Sequence, residues 1–291
     1  MLFQYSPFGE MSFYCLDFIG VCGRVLYSPD DRHRWQRPMN TQYLIQDKTE
    51  RYQRNSDNMQ CVIQFLIQET YSTIPNLMVL LNYQKRQPLD RLLAKLKGLG
   101  LIKKYELKTG RGKLALWGVT DLGLAQNRQK SDGREKSFVP YRVTAKNAEH
   151  KMKVQFVQLQ LQKNGWSDWE NCKHENVRKK YRVAHKPDGV MKSPSGAKIA
   201  LELMQKIQTS SRYRTIFKDH IQARKEGYWC AVFFIVESSK IKKLLENHFN
   251  KVEYIRFKES KHPFEHYRSN LYRIFTLEEV KSLQETREHK R

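Results

Sequence analysis

The sequence has few cysteines and no long apolar segment, and both absences exclude classes of protein. Its five cysteines are scattered and never form a C-x-x-C pair, which argues against a disulfide framework and a cysteine-based zinc site. A membrane helix needs roughly 18–20 uncharged apolar residues. The best candidate, Met11 to Tyr27, is interrupted by Asp17 and Arg24 and has no signal-peptide cleavage pattern. We therefore expect a cytoplasmic protein with reduced thiols and no membrane insertion.

Several catalytic motifs are also missing. There is no G-x-x-x-x-G-K-[ST] loop for ATP hydrolysis, no G-x-S-x-G nucleophile turn, and no histidine-hydrophobe-histidine cluster. His262 and His266 have helical spacing, but Pro263 lies between them. We expect a surface pair there rather than a metal site, because too few ligands are present.

Acidic residues are scarce relative to basic ones. The 291 residues include 53 Lys+Arg and 30 Asp+Glu, giving a formal charge of +23, and 40% hydrophobic residues allow one or two domains with true cores. This basic excess favours nucleic acid as the partner, because basic side chains neutralise phosphates and release counterions. A soluble basic protein without a polyanionic partner is the alternative.

The pattern divides the chain into four parts. Residues 1–58 are a leader of uncertain structure, in which the polar run from Asp47 to Asn58 predicts a linker. Residues 59–130 carry a regular helical and hairpin pattern, residues 131–146 form a polar connector, and residues 147–291 form a second domain. We assign the leader no function.

Residues 59–130 predict three helices followed by a hairpin with a basic tip. The helices cover 59–71, 76–83 and 88–98, and the strands 101–107 and 113–119 flank the turn Thr-Gly-Arg-Gly. This order resembles a winged helix-turn-helix, whose third helix enters the major groove while its wing contacts phosphates. The resemblance implies contacts to double-stranded DNA by Arg91, Lys95, Arg111 and Lys113. A dimerisation or scaffold module is the alternative.

Residues 147–291 predict a three-layer α/β domain with a mixed central sheet. A long amphipathic helix runs to Asn164-Gly165, and the apolar runs 199–204 and 228–237 are typical of buried strands. The remaining predicted elements are a strand over 166–170, a basic helix over 210–225, a helix over 240–249 and a strand over 252–257. Together with the first part, the fold class is α/β (α+β).

Two acids in this domain attract attention. Asp188 follows Pro187 at the start of an extended run, while Glu202 lies inside an apolar strand with Lys206 just beyond it. If both carboxylates converge beside the ammonium group, they suit Mg²⁺-dependent cleavage of a phosphodiester. The non-catalytic alternative is that Lys206 forms a salt bridge with Glu202 on a solvent-facing turn.

The domain order is similar to the PD-(D/E)xK, restriction-endonuclease-like superfamily. Together with the preceding winged helix, it resembles the replication-relaxation and MobC-type plasmid mobilisation proteins. The residues that carry this likeness are His150, Gly165-Trp166, Pro187-Asp188-Gly189, Leu201-Glu202, Lys206 and Arg212-Tyr213. Two positions depart from the pattern: Lys206 lies four residues after the acid rather than two, and Ala200 stands where related sequences often carry an acid.

The resemblance implies a relaxase that binds a plasmid transfer origin and nicks one strand to start conjugative mobilisation. Asp188 and Glu202 would bind Mg²⁺ or Mn²⁺, with Glu170 or Glu149 as a further ligand, and Lys206 would face the scissile phosphate. Arg212 would contact phosphate or simply pack. The implied partners are a coupling protein, relaxosome accessory proteins and a second copy in a homodimer.

Two other functions remain open at this point. One is a non-catalytic DNA-binding protein of plasmid replication control, transcription or relaxosome assembly. The other is a restriction-type or repair endonuclease that cuts both strands without needing an origin.

Overall fold

The computed structural model describes residues 47–110, 112–127, 136–257 and 260–283. The leader before residue 47, Arg111 and residues 128–135, which include the first part of the predicted connector, lie outside the described residues. Within the described ranges, no helix has the length and apolar character needed to cross a bilayer. We refer to residues 47–127 as the N-terminal half and to residues 136–283 as the C-terminal half.

The N-terminal half contains four helices and a small antiparallel sheet. Its elements in chain order are α1 (Lys48–Glu69), β1 (Tyr71–Ser72), α2 (Ile74–Leu80), α3 (Arg86–Gly98), β2 (Ile102–Thr109), β3 (Gly112–Val119) and α4 (Asp121–Gln126). The strands pair in the order β1-β3-β2. The three helices and the hairpin expected from the sequence are therefore confirmed, and Pro75 lies in the first turn of α2 as expected.

The predicted linker between Asp47 and Asn58 is wrong, because these residues form the first half of α1. The Asp47 side chain caps the helix by accepting a hydrogen bond from the Thr49 N–H at 2.9 Å. Most of this first half is exposed. An exposed helical segment needs no apolar stripe, so its sequence carries no helical period.

The core of the N-terminal half is made by the apolar faces of the helices packed on the small sheet. Fully buried members include Val62, Leu66, Leu77, Leu89, Leu93 and Leu96. The connector also contributes, because Phe138 is buried against the rings of Tyr71 and Tyr105 at 5.3 and 6.5 Å. Backbone Gly118 leaves the space that the Phe138 ring fills.

The C-terminal half is a mixed α/β layer structure. Its elements are α5 (Ala145–Lys163), β4 (Ser167–Asn171), α6 (Glu175–Lys180), β5 (Gly189–Lys192), β6 (Lys198–Leu203), α7 (Ser210–Lys225), β7 (Ala231–Val236), α8 (Ser239–Asn250), β8 (Tyr254–Phe257), β9 (Ser260–Pro263), α9 (Glu265–Leu271), β10 (Tyr272–Thr276) and α10 (Leu277–Lys281). The five-stranded sheet has the order β10-β7-β6-β5-β4. Strands β6, β7 and β10 run parallel, whereas β4 and β5 are antiparallel to their neighbours. The expected mixed sheet is confirmed.

Side chains of β6 alternate between two apolar layers. Ile199, Leu201 and Leu203 pack in the layer that contains α5, while Ala200 and Met204 pack in the layer that contains α7. The strand is therefore buried on both faces, as its apolar run predicts. This alternation decides which helix each polar residue of the strand can reach.

A buried group of polar side chains joins the two halves. It consists of Glu69, Ser72, Asn76, Gln155 and Asn171, which we call the Gln155 cluster. Gln155 on α5 accepts hydrogen bonds from Ser72 at 2.8 Å and Asn76 at 3.2 Å, and Asn171 donates to Glu69 at 3.3 Å. Buried polar groups that satisfy one another in this way fix a single arrangement of the surrounding elements. The described residues from Asp47 to Leu283 form one compact unit.

Candidate functional site

Asp188 lies in a bend directly before β5 and turns its carboxylate towards α5. Its Oδ1 lies 2.7 Å from His150 Nε2 and 3.3 Å from Lys173 Nζ. Its Oδ2 accepts a hydrogen bond from the Leu203 N–H at 3.0 Å. Burial alone would raise the pKa of Asp188, but His150, Lys173 and the Leu203 amide hold it below its ordinary value. Both oxygens are thus already engaged by the protein.

Glu202 lies on β6, and its side chain projects into the layer that contains α7. Its Oε1 lies 2.7 Å from His185 Nε2 and 3.3 Å from His220 Nε2. The three ligand atoms all lie within 4.8 Å of one another. Burial would lower the pKa of His185, but its hydrogen bond to Glu202 and the charge of that carboxylate raise it. The loop that carries His185 is also held by Asp219, whose carboxylate accepts a hydrogen bond from the His185 N–H at 2.9 Å.

The expected convergence of Asp188 and Glu202 in one notch is therefore not what the structure contains. Leu201 and Leu203 occupy the β6 positions that face α5 beside Asp188, and both are buried apolar residues. The bend at Asp188 breaks the regular pairing with β6, so its side chain does not follow the alternation of the strand. The two acids engage different layers and do not form a shared ligand set.

Glu170, the expected third acid, is held elsewhere. It lies on β4, forms an ion pair with Lys180, and accepts a hydrogen bond from the Tyr181 hydroxyl at 2.7 Å. Burial would raise the pKa of Glu170, but these two partners lower it. It lines a cleft of about 490 Å³ together with Glu69 and His174. Among the described residues, neither Glu170 nor Asp188 belongs to a group of three metal-ligating side chains. The residues present do not fit Mg²⁺ or Mn²⁺ bound jointly by Asp188, Glu202 and Glu170.

Lys206 and Arg212 are both exposed. Lys206 lies in a bend after the end of β6, and it forms no ion pair with Glu202, whose contacts are the two histidines. Arg212 lies in the first turn of α7, close enough to His185 to act on its charge. Both cations are therefore accessible to an anion from solvent. Neither of them forms an ion pair with Asp188 or Glu202.

The basic side chains of the N-terminal half form a second candidate site. Arg91 and Lys95 are exposed one turn apart on α3, and the described chain offers neither of them an ion-pair partner. Lys108 and Lys113 stand directly opposite each other across the β2–β3 hairpin. Lys113 lies 3.8 Å from Glu106, which Lys104 also contacts at 2.9 Å. Arg111 at the hairpin tip lies outside the described residues.

Sequence reasoning missed His220 and assigned no metal-binding role to His185. A signal for His220 did exist. It continues the apolar stripe of Tyr213, Ile216 and Phe217 on α7, where every other member is a buried hydrophobic residue. A histidine in such a stripe faces the sheet, where a carboxylate can meet it.

Comparison of this chain with protein-family models, with curated proteins and with solved structures finds no match. Membership of the family suggested by the motif string stays a prediction. The functional conclusion therefore depends on the geometry of the two candidate sites described above.

Proposed function

We propose that this protein binds double-stranded DNA through α3 and the β2–β3 hairpin, without cleaving it. In this proposal it is the non-catalytic DNA-binding component of plasmid replication control, transcription or relaxosome assembly. The order of three helices and a hairpin supports a winged helix-turn-helix in residues 59–130. In such a module, α3 would enter the major groove and the hairpin would contact the phosphate backbone.

The pairing of Lys108 with Lys113 is the observation that carries this proposal. Like charges directly opposite each other on adjacent strands are destabilising. The single acid nearby, Glu106, is shared with Lys104. Between Arg86 and Val119 the chain has nine basic residues and only two acids, Asp90 and Glu106. A phosphate backbone would neutralise this concentrated positive charge.

The C-terminal half supports a DNA-binding scaffold better than a nicking enzyme. Apart from the short α6 between β4 and β5, its order α5, β4, β5, β6, α7, β7 is the αβββαβ order expected for the restriction-endonuclease-like superfamily. However, a metal-dependent phosphodiesterase needs carboxylates around one ion. Asp188 and Glu202 engage different layers, and Leu201 and Leu203 fill the positions beside Asp188.

DNA binding is tested by fluorescence anisotropy with labelled duplexes of random sequence and of plasmid-origin sequence. The double variant Arg91→Ala/Lys95→Ala should weaken binding to both duplexes to a similar extent, because these side chains would contact the phosphates that flank the groove, and phosphate contacts carry no sequence information. The matched control is Lys240→Ala/Lys243→Ala, which removes two exposed charges from α8. Equal binding by both double variants would overturn α3 as the DNA-binding element.

The relaxase hypothesis is tested separately with supercoiled plasmid DNA in Mg²⁺ or Mn²⁺. We expect no conversion to the nicked form by the wild-type protein under conditions where the same DNA shifts on a gel. Nicking that the wild type performs and Asp188→Ala does not would reinstate the enzyme. Linear product from wild type alone would instead favour the restriction-type or repair endonuclease.

A further inference from the structure

His185, Glu202 and His220 form a compact cluster between the five-stranded sheet and α7. His185 lies in the loop before β5, Glu202 on β6 and His220 on α7. We propose that these three side chains bind one divalent transition-metal ion of the zinc type. This inference is independent of DNA binding, and its ligand set shares only Glu202 with the residues expected to hold Mg²⁺. It is argued from the state of His220, from the distances within the cluster and from the chemistry of the ligands.

His220 is a fully buried imidazole without a satisfactory partner. Its side chain is 0% exposed, and neither ring nitrogen makes a hydrogen bond with the described residues. Its Nε2 nevertheless lies 3.3 Å from Glu202 Oε1, at an angle that does not suit a hydrogen bond. Buried polar groups are nearly always satisfied, so an imidazole left in this state points to a ligand that is bound in the working protein.

The distances in the cluster are close to those of a tetrahedral metal site. Zinc binds nitrogen and carboxylate oxygen at about 2.0–2.2 Å, which places ligand atoms about 3.3–3.6 Å apart in a tetrahedron. Here the two histidine nitrogens lie 2.7 and 3.3 Å from Glu202 Oε1. All three ligand atoms fit within 4.8 Å. A small outward movement of His185, the most exposed of the three, would admit the ion.

The ligand types select the class of metal. Two imidazoles and one carboxylate suit zinc, cobalt, nickel or copper, whereas Mg²⁺ requires oxygen ligands and waters. Three protein ligands leave a fourth position for water or another small ligand. The His185 side chain is 19% exposed, which gives the ion a route from solvent.

The surroundings hold the ligands in place. The His185 N–H donates to Asp219, which fixes the loop that precedes β5 against α7. His220 packs edge-on against the rings of His185 and Trp229, at centroid distances of 5.5 and 5.7 Å. The ion would therefore link the loop, β6 and α7, and its binding free energy would add to the stability of the folded chain.

The test uses Co²⁺ as a spectroscopic probe with the full chain. We expect wild-type protein to bind one Co²⁺ in this cluster, with visible absorption typical of a tetrahedral site, and both Zn²⁺ and Co²⁺ to raise its melting temperature. His185→Gln should weaken Co²⁺ binding by more than about tenfold, since losing even an outer partner of a metal ligand typically costs about 10- to 100-fold. Glu202→Gln serves as the second variant if His185→Gln does not fold.

The matched control is His150→Gln. His150 and His185 have the same 19% side-chain exposure, and each lies 2.7 Å from a carboxylate oxygen. The control should keep wild-type affinity and the absorption spectrum, which separates this cluster from a histidine paired with a single carboxylate. The proposal is overturned if wild type gives no visible absorption and no thermal shift, or if His185→Gln and Glu202→Gln both bind like wild type. It is equally overturned if only His150→Gln loses binding.

Discussion

Asp188 and Glu202 lie beside each other where β5 begins and β6 ends, yet their carboxylates engage opposite layers of the domain. Asp188 contacts His150 of α5, and Glu202 contacts His220 of α7. Each acid thus has its own histidine on its own helix. The arrangement separates a hydrogen-bonded acid, which we expect to be structural, from a cluster suited to a metal ion.

The Asp188–His150 contact should contribute to stability. We expect His150→Ala to lower the free energy of unfolding by about 1–3 kcal/mol, because it leaves the half-buried Asp188 carboxylate with fewer partners. Urea denaturation monitored by tryptophan fluorescence measures the change. His266→Ala on α9, where the side chain is exposed, should stay within about 0.5 kcal/mol of wild type. Equal effects of the two substitutions would contradict a structural role for the pair.

Glu69 should make the stability of the protein depend on acidic pH. Burial would raise the pKa of Glu69, but Lys151 and hydrogen bonds from Asn171 and Gln155 hold it below the ordinary value of 4.5. A carboxyl whose pKa is lower in the folded state stabilises the protein above its unfolded pKa. That contribution is lost as the pH falls from about 4.5 through the folded-state pKa.

The measurement for Glu69 compares the free energy of unfolding of wild type and Glu69→Gln at pH 7 and pH 4. The variant should be less stable than wild type at pH 7. The difference should shrink at pH 4, because the Glu69 carboxyl of the unfolded wild-type chain is partly protonated there. Glu253→Gln removes an exposed carboxyl and serves as the control. A gap between wild type and Glu69→Gln that stays constant between the two pH values would refute this prediction.

The packing of Phe138 on Gly118 predicts a steric effect. A Cβ at position 118 would lie 2.3 Å from Phe138 Cγ, so Gly118→Ala should lower the free energy of unfolding by about 1–3 kcal/mol. Gly98→Ala meets nothing within 4 Å at the end of α3 and should be neutral or stabilising by up to about 1 kcal/mol. Chemical denaturation of both variants provides the measurement, and a stable Gly118→Ala would show that Phe138 moves away freely.

The salt dependence of DNA binding reports how many phosphates α3 contacts. Each neutralised phosphate contributes a slope of about −0.9 to log K against log salt concentration. Removing Arg91 and Lys95 together should therefore make the slope less steep by about 1.8. Binding isotherms between 50 and 200 mM salt, roughly the range over which such contacts weaken, provide the slope. An unchanged slope would mean that these two side chains point away from the bound duplex.

Much of the fold could be predicted from local patterns. Helix α3 was evident from the spacing of Leu89, Leu93 and Leu96, and β6 from its continuous apolar run. Strand β10 was missed, because Tyr272–Thr276 has no alternation of its own and its parallel neighbour β7 lies far away in sequence. The start of α1 was missed because its exposed first half has no apolar periodicity, and the N-cap Asp47 is its main sequence signal.

Of the three residues in the candidate metal cluster, the sequence identified Glu202 as a ligand but not His185 or His220. The sequence places Asp188 and Glu202 on adjoining strands, and it shows that Glu202 is costly inside an apolar run unless it is paired. The bend at Asp188, which turns its carboxylate towards His150, depends on contacts between distant elements. Side-chain alternation predicts the face only for residues within a regularly paired strand. It does not predict the direction of a side chain in a bend, such as that of Asp188.

Helix α5 touches both halves of the chain, because Gln155 bonds to the N-terminal half while Val154 and Val157 pack on the sheet. A duplex seated on α3 would consequently keep a constant angle to the sheet, instead of swivelling on a tether. Nuclease or hydroxyl-radical cutting of such a complex would then give one footprint of fixed extent around the bound site.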